Sequence, residues 1–368
     1  MMEGATRLFP PPANLQKGPR QPGERAKGQP FYNPGMALNR DLSVLLVEAF
    51  ARARGREIDV ADALAGTGAR SLRLTGEVEA PIIVHANDAD PRGVAAMRAH
   101  PVGARLRIHE GDAHAFLATQ RFDVIDLDPC GSPMPFVDAA MRAARVGALV
   151  CATATDTGAL AGKFPRVCRR RYDAHHGLHP APWRAEVGLR VLGGALVRSA
   201  ARFERVATPV LSIASGHWMR VVARVEEGKK DTDDGLRGLR NAVLDADGLG
   251  RMAPAHEVPD GKWAGPLWGG PLHDAGLVAA MRAAREGKQL ARPKEADALL
   301  ALFTEEADAP AFWVEPDLFQ KRLGPPPRRD VLIARLRAAG FAAARAHLDA
   351  QGVRTDAGLD GLRACWGG

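Results

Sequence analysis

The amino-acid sequence predicts an α/β protein: a parallel sheet covered by helices and closed by an antiparallel hairpin, followed by a smaller α+β part. Three observations carry this expectation. Five short apolar runs alternate with helical segments between Ile58 and Thr155. The turn Ser215-Gly216 is flanked by TPVLSIAS and HWMRVVARV, the pattern of two antiparallel strands. Beyond the charged run EEGKKDTDDG (Glu226 to Gly235) periodicity weakens to about Pro271, and helical patterns return from Asp274.

In chain order, residues 1–29 are rich in Pro, Gly and Gln and read as a flexible tail, with a short strand near its start. Order begins at FYNPGMALNRD (Phe31 to Asp41). Leu42, Leu45, Leu46 and Ala49 then recur at helical spacing, with Asn39 or Asp41 as the cap and Gly55 as the stop. IDVADAL (Ile58 to Leu64) is the first strand and ends in the turn Ala65-Gly66-Thr67-Gly68. PIIVHAND (Pro81 to Asp88) is the second; Asp90 caps the next helix, whose first residue is Pro91. LRIHEGDA (Leu106 to Ala113), FDVIDLDP (Phe122 to Pro129) and GALVCATAT (Gly147 to Thr155) complete the set, and a helix follows over Ala185 to Phe203. The charged run reads as a linker. The expected organisation is a tail over 1–29, a catalytic domain over 30–227, and a linker with a second domain over 228–368.

A length of 368 residues suits two domains of about 150 residues each. Hydrophobic residues at 46% and charged residues at 25% are ordinary for a folded protein. No apolar run reaches the ~18 residues of a membrane span, and the N-terminus has no signal-like run. The four cysteines are far apart with no C-x-x-C pair, so no disulfide framework and no sequence-local zinc site is expected. The expectation is a reduced, cytoplasmic protein with no membrane association and no obligate protein partner. A net charge of +7 favours a polyanion partner, although arginine-rich composition also follows genomic base bias.

Three strand ends carry polar motifs. Gly66 and Gly68 let backbone approach a ligand, while the following helix start offers unpaired N–H groups; a plain tight turn uses the same residues. Asp88 lies twenty residues after Gly68 at the end of the next strand, where an acid can hold both hydroxyls of a ribose. Asp112 ends the third strand, where a carboxylate can accept from an adenine amino group or cap a helix. Together they favour an adenosine-containing cofactor. The fourth strand ends in Asp126-Leu127-Asp128-Pro129-Cys130-Gly131-Ser132-Pro133. An acid-Pro element there suits methylation of an exocyclic amine. Its lone pair is delocalised into the ring, and a carboxylate plus a backbone carbonyl accepting the two N–H bonds would localise it. A Pro-rich turn with Asp128 as helix cap is the plainer alternative.

FYNPGMALNRD, DALAGTGARSLR, HANDADP, FDVIDLDPCGSPMPFVDAAMR, TATDTGALAG and EVGLRVL, in this order, closely resemble the tRNA (guanine(26)-N(2))-dimethyltransferases, and GPLWGGPLHD (Gly265 to Asp274) continues the resemblance. It implies a Rossmann-like class I methyltransferase sheet, S-adenosylmethionine as cofactor, and transfer of one then a second methyl group to a guanine amine of tRNA. By position, Arg40, Arg70, Asp88, Asp112 and Ala113 would contact the cofactor beside Gly66 and Gly68. The two arginines would hold its carboxylate, Asp88 the ribose, and Asp112 with Ala113 the adenine. Asp128 and the Pro129 carbonyl would hold the guanine amine, and Phe31 would stack on the base; Phe31 also suits a hydrophobic staple. Two departures stand out: Cys130 replaces an aromatic residue typical of relatives, and Tyr172 to Trp183 matches poorly. The latter segment, with His175, His176 and His179, reads as a polar loop rather than a metal site. Cysteine pairs that some relatives carry further on are missing, so no metal is expected.

Arg166, Arg169, Arg170 and Arg171, with Lys163, form the densest basic run and suit RNA phosphates; a solvated helix face has the same composition. Arg328, Arg329, Arg335, Arg337 and Arg345 suggest that the C-terminal part grips tRNA. The competing expectations are methylation of another tRNA guanine or adenine amine, or a catalytically weak tRNA-binding relative.

Overall fold

Branched apolar runs with turn residues at their ends form the centre of the molecule, a seven-stranded sheet. The computed structural model describes residues 1–8, 31–101, 103–179 and 182–367. Of the tail expected over 1–29, residues 9–29 lie outside the described residues, whereas residues 1–8 are docked on the sheet domain with Glu3 and Leu8 buried: a small hairpin, β1 (Met2–Glu3) and β2 (Thr6–Arg7), precedes α1 (Ala37–Arg54). Strands β3 (Ile58–Asp62), β4 (Ile82–Asp88), β5 (Leu106–Glu110), β6 (Phe122–Leu127) and β7 (Ala144–Ala154) follow. They alternate with α2 (Ala69–Glu77), α3 (Pro91–Arg98), α4 (Ala113–Leu117) and α5 (Met134–Ala143). Next come α6 (Thr157–Leu160), α7 (Pro165–Tyr172), the two-residue β8 (His175–His176) and α8 (Arg184–Ala201). The hairpin β9 (Arg205–Ser215) and β10 (Trp218–Glu227) completes the sheet in the order β5-β4-β3-β6-β7-β10-β9. β3 to β7 are parallel, and β10 runs antiparallel to both of its neighbours. Strand order reverses beside β3, which opens a crevice at the carboxyl ends of β3, β4 and β6.

The start of α1 differs from expectation. The Asn33 side chain accepts from the Gly35 N–H at 2.9 Å and caps a short 3-10 turn, Pro34–Met36, so the helix begins at Ala37. Asn39 and Asp41 therefore lie inside α1, buried and with other partners. Asn39 accepts from Arg70 at 2.8 Å, and Asp41 accepts the backbone N–H groups of Ala291 at 3.0 Å and Arg292 at 2.7 Å. Gly55 ends the helix with φ 63°, as its sequence position suggested.

After β10 the chain forms α9 (Lys229–Arg237), not a linker. The charged residues sit on an exposed face with an Asp234–Arg237 pair at 2.5 Å, while Thr232 is buried. The weakly periodic stretch then supplies β11 (Leu239–Leu244), β12 (Gly250–Pro254) and β13 (Trp263–Trp268). These join β8 in a second, antiparallel sheet of order β12-β11-β13-β8. His175 and His176 are thus strand residues: His176 pairs with Ala264, and the His175 ring lies 4.3 Å from that of Trp263. The remaining elements are α10 (Ala275–Ala284), α11 (Pro293–Glu306), α12 (Pro316–Leu323), α13 (Arg329–Ala338), β14 (Ala343–Ala346), β15 (Asp349–Thr355) and α14 (Leu359–Trp366). β14 and β15 form a hairpin.

Packing is continuous across residue 227. One apolar cluster joins Phe122, Leu192 and Trp183 to Leu267 and Phe312; another joins Leu45, Val60 and Trp218 to Met281 and Phe303. A third gathers residues from Val314 to Trp366. Buried charges cross the same seam: Lys288 meets Glu48 at 3.0 Å, and Arg354 meets Glu186 at 2.9 Å. His273, Glu306 and His347 bring possible ligand atoms within 4.8 Å of one another. The Arg354 guanidinium stands 3.4 Å from the same Glu306 carboxylate, so a fixed cation already shares that centre. Among the described residues, no helix is long and apolar enough to cross a membrane.

Candidate active site

The crevice rim is a chain of hydrogen bonds between strand ends. Asn87 donates to the carbonyls of Ala63 and Gly111, both at 3.1 Å, which ties β3, β4 and β5 together. The Ala63 N–H donates to the Asp126 carbonyl at 3.2 Å and extends the tie to β6. Gly66 and Gly68 have φ of 58° and 74°, conformations costly for other residues. A Cβ on Gly68 would stand 2.4 Å from Met97, and one on Gly93 would stand 2.4 Å from the Gly66 carbonyl, so the turn is packed from below by α3. Asp88 holds the turn from the side: its carboxylate accepts from the Gly66 N–H at 2.6 Å and the Asp90 N–H at 2.8 Å.

Phe31 lies over the glycine turn. Its carbonyl accepts from the Thr67 N–H at 3.3 Å, and the residue is 37% exposed, so it is not a staple packed into the core. Asp112 is exposed and caps α4, accepting from the N–H groups of His114 at 2.8 Å and Ala115 at 3.2 Å. The Ala115 and His114 N–H groups hold its carboxyl below the usual range. Ala113 beside it is buried.

Asp128 stands just past the end of β6. It is not the cap of α5, whose N-terminal flank is Pro133 with no side-chain cap bond. The loop after it is anchored to the end of β7: the Gly131 N–H donates to Thr155 Oγ1 at 2.7 Å, and the Thr155 N–H donates to the Gly131 carbonyl at 2.9 Å. Cys130 on this loop is exposed. The Asp128 carboxylate, 17% exposed, accepts a short bond from Arg70. Arg70 also donates to Asn39 and, at 2.5 Å, to Ser43, and lies 3.5 Å from Asp126.

Beneath this pair the charges are fully buried. Burial opposes ionisation of Asp126, but Arg220 and Arg70 outweigh it and keep the carboxyl below its usual range; Arg220 bonds it at 2.5 Å. Asp62, at the end of β3, accepts a hydrogen bond from Ser71 at 2.7 Å. Burial there pushes its pKa up to about 7. Arg40 is buried: its Nε and Nη2 donate to Glu3, both at 2.6 Å, and Nη2 also reaches the Asn33 carbonyl. Glu3 accepts a short bond from Tyr32 as well. Burial opposes the charge on Glu3, yet Arg40 holds its carboxyl below the ordinary value. Glu3, Arg220 and Ser43 carry no sequence signal of these roles, since each meets a partner distant in the chain.

On α7, Arg166, Arg169, Arg170 and Arg171 are all exposed, and Arg171 also pairs with Asp156 at 2.8 Å. Thus the turn that carries Gly66 and Gly68 meets Asp88 on one side and Phe31 on the other, Arg70 and Asp128 form one unit, and Asp112 and Ala113 stand at the neighbouring strand end.

A doubly wound sheet of this strand order, with an antiparallel closing hairpin and these motifs on its carboxyl edge, defines a Rossmann-like class I methyltransferase. The chain belongs to the N2,N2-dimethylguanosine tRNA methyltransferase family, whose model matches residues 24–365. It is 35% identical over 350 residues to the tRNA (guanine(26)-N(2))-dimethyltransferase of Methanothermobacter thermautotrophicus, covering 91% of each chain. Its identity to the enzyme of the same name from Thermococcus kodakarensis is 35% over 378 residues, covering 96% of this chain and 95% of that one. The structure also resembles Trm1 from Pyrococcus horikoshii, solved with S-adenosyl-L-methionine, with a TM-score of 0.86 and 28% identity over 100% of this chain and 99% of that one.

Proposed function

We propose that the chain transfers one and then a second methyl group from S-adenosylmethionine to the exocyclic amine of guanine 26 of tRNA. The observation that carries the reading is Asp128, a partly exposed carboxylate fixed by Arg70 at the crevice where the glycine turn, Asp88 and Phe31 meet. The crevice suits the cofactor: the glycines leave bare backbone, and the Asp88 oxygens, each holding one N–H, keep lone pairs for ribose hydroxyls. Asp112 and Ala113 would meet the adenine, and Arg40 and Arg70 the carboxylate. Arg40 Nη1 is the amino group not engaged by Glu3. When bound, the cofactor supplies an electrophilic methyl group on a sulfonium.

The remaining chemistry belongs to the protein. Phe31 offers a ring face for the base, and the Asp128 carboxylate and Pro129 carbonyl accept the two amine N–H bonds. That aligns the nitrogen lone pair and stabilises the positive charge developing on nitrogen. The proton shed on methylation passes to an Oδ of Asp128. After the first transfer one N–H remains for these two acceptors, so the second transfer is the slower one. The target base is stacked in folded tRNA, and bringing it out costs a few kcal/mol. The exposed Arg166, Arg169 and Arg170 would meet phosphates beside the crevice, and the C-terminal part would grip tRNA. Such an enzyme would work in the cytoplasm. Nucleoside mass spectrometry on unmodified tRNA carrying guanine at position 26 should detect mono- then dimethylguanosine. No methylation, or methylation persisting after that base is changed, contradicts the reading.

A further inference from the structure

A second polar feature lies at the opposite edge of the sheet. Arg121 immediately precedes β6, and Asp128 immediately follows it; seven steps at about 3.3 Å each put the two roughly 23 Å apart. Around Arg121 is a cleft of about 620 Å³, lined also by Arg142, Phe203, Arg205 and Lys229. Two carboxylates share it, and both are matched: Glu227 pairs with Arg205 at 3.1 Å and Glu204 with Lys229 at 3.2 Å. Among the described residues, no carboxylate pairs with Arg121 or Arg142. Arg121 donates to the carbonyls of Arg142 and Ala144, and the Arg142 guanidinium lies over the Phe203 ring at 5.0 Å. The cleft therefore holds a surplus of two guanidinium groups. Burial and the neighbouring Arg121 charge pull Arg205 below its ordinary value, a repulsion that an anion would relieve.

The route to this cleft starts at the active site. α5 begins six residues after Asp128 and carries Arg142 in its last turn, about 12 Å along its axis. We propose that the cleft takes a phosphate of the tRNA backbone while the target base occupies the crevice above. Guanidinium forks suit phosphate oxygens, and a polyanion tens of ångströms long spans the separation. This assignment rests on the tRNA reading of the active site.

The test is tRNA binding by fluorescence anisotropy, using the transcript with guanine 26, over a series of salt concentrations. Arg142 is exposed, so Arg142→Glu and Arg142→Gln are the variants, each checked for unchanged melting temperature and cofactor affinity. Arg142→Glu should weaken binding about tenfold near 0.15 M salt, and Arg142→Gln about threefold, with the log–log salt slope smaller by about one. Turnover at saturating tRNA should not change. Wild-type affinity and slope in Arg142→Glu would overturn the proposal. So would the case in which free pyrophosphate raises the wild-type melting temperature through Arg142 while tRNA affinity ignores the substitution, which assigns the cleft to a small phosphate ligand. If wild type itself fails to bind tRNA, the active-site reading falls as well.

Discussion

Arg70 bonds Asp128 directly, so the cation assigned to the cofactor carboxylate also fixes the acid assigned to the guanine amine. Replacing Asp128 removes the acceptor proposed for the amine but leaves the glycine turn and Asp88 in place. Asp128→Ala should lower single-turnover methylation by about 100-fold or more, while calorimetry still detects cofactor binding. Cys130 calls for the opposite change. Base–aromatic stacking contributes ~1–3 kcal/mol, so Cys130→Phe should raise kcat/KM for tRNA, measured with limiting tRNA. Asp62 gives a pH signature. In the unfolded chain it ionises near 3.8, whereas burial delays this in the folded protein to about 7. Its contribution to stability therefore declines as pH rises through that window. Asp62→Asn should raise the melting temperature more at pH 8 than at pH 5, as followed by scanning fluorimetry.

Among the elements, β1 and β2 matter beyond their size. Glu3 is 4% exposed and pairs with Arg40, so Glu3→Ala leaves that buried cation without its acid, whereas Arg73 keeps Asp41 and Glu77. Breaking a buried pair costs about 3–5 kcal/mol, and the urea midpoint should fall accordingly, with weaker cofactor binding if Arg40 shifts. The sequence reveals some elements and hides others for definite reasons. β3 to β7 are legible because buried parallel strands are unbroken apolar runs ending in motif residues. α9 hides behind its charges, since a mostly exposed helix shows little apolar periodicity. β8 has two residues, too few for any alternation, and is a strand only because β13 lies beside it. In the active site, Gly66, Gly68 and Asp88 can be placed from local spacing alone. The partners of Arg40, Arg70 and Asp41 cannot, because they lie 37, 58 and 250 residues away in sequence.

For the whole molecule, the shared cores across residue 227 mean that the sheet does not stand alone. A fragment of residues 1–227 would expose the faces that meet Leu267, Met281 and Phe303, and should show no cooperative unfolding transition by circular dichroism. The tRNA-gripping role proposed for the C-terminal part is thus better tested by surface arginine substitutions than by deletion. Two histidines on the seam add a pH dependence. Burial pulls His176 and His273 down from 6.5 to about 4, so both are neutral when folded, while the unfolded chain protonates them from 6.5 downward. Their contribution is full above about 6.5 and drains as pH falls toward 4. Urea midpoints should drop more between pH 6.5 and 4.5 than between 8 and 6.5.

β8 has a consequence for biosynthesis. Its pairing partner Gly265 is made 90 residues after His175. At about 5–20 residues per second, the ribosome leaves that edge open for roughly 5–18 seconds. During that interval the nascent methyltransferase sheet presents apolar surface without its cover, since Leu267, Met281 and Phe303 are all made later.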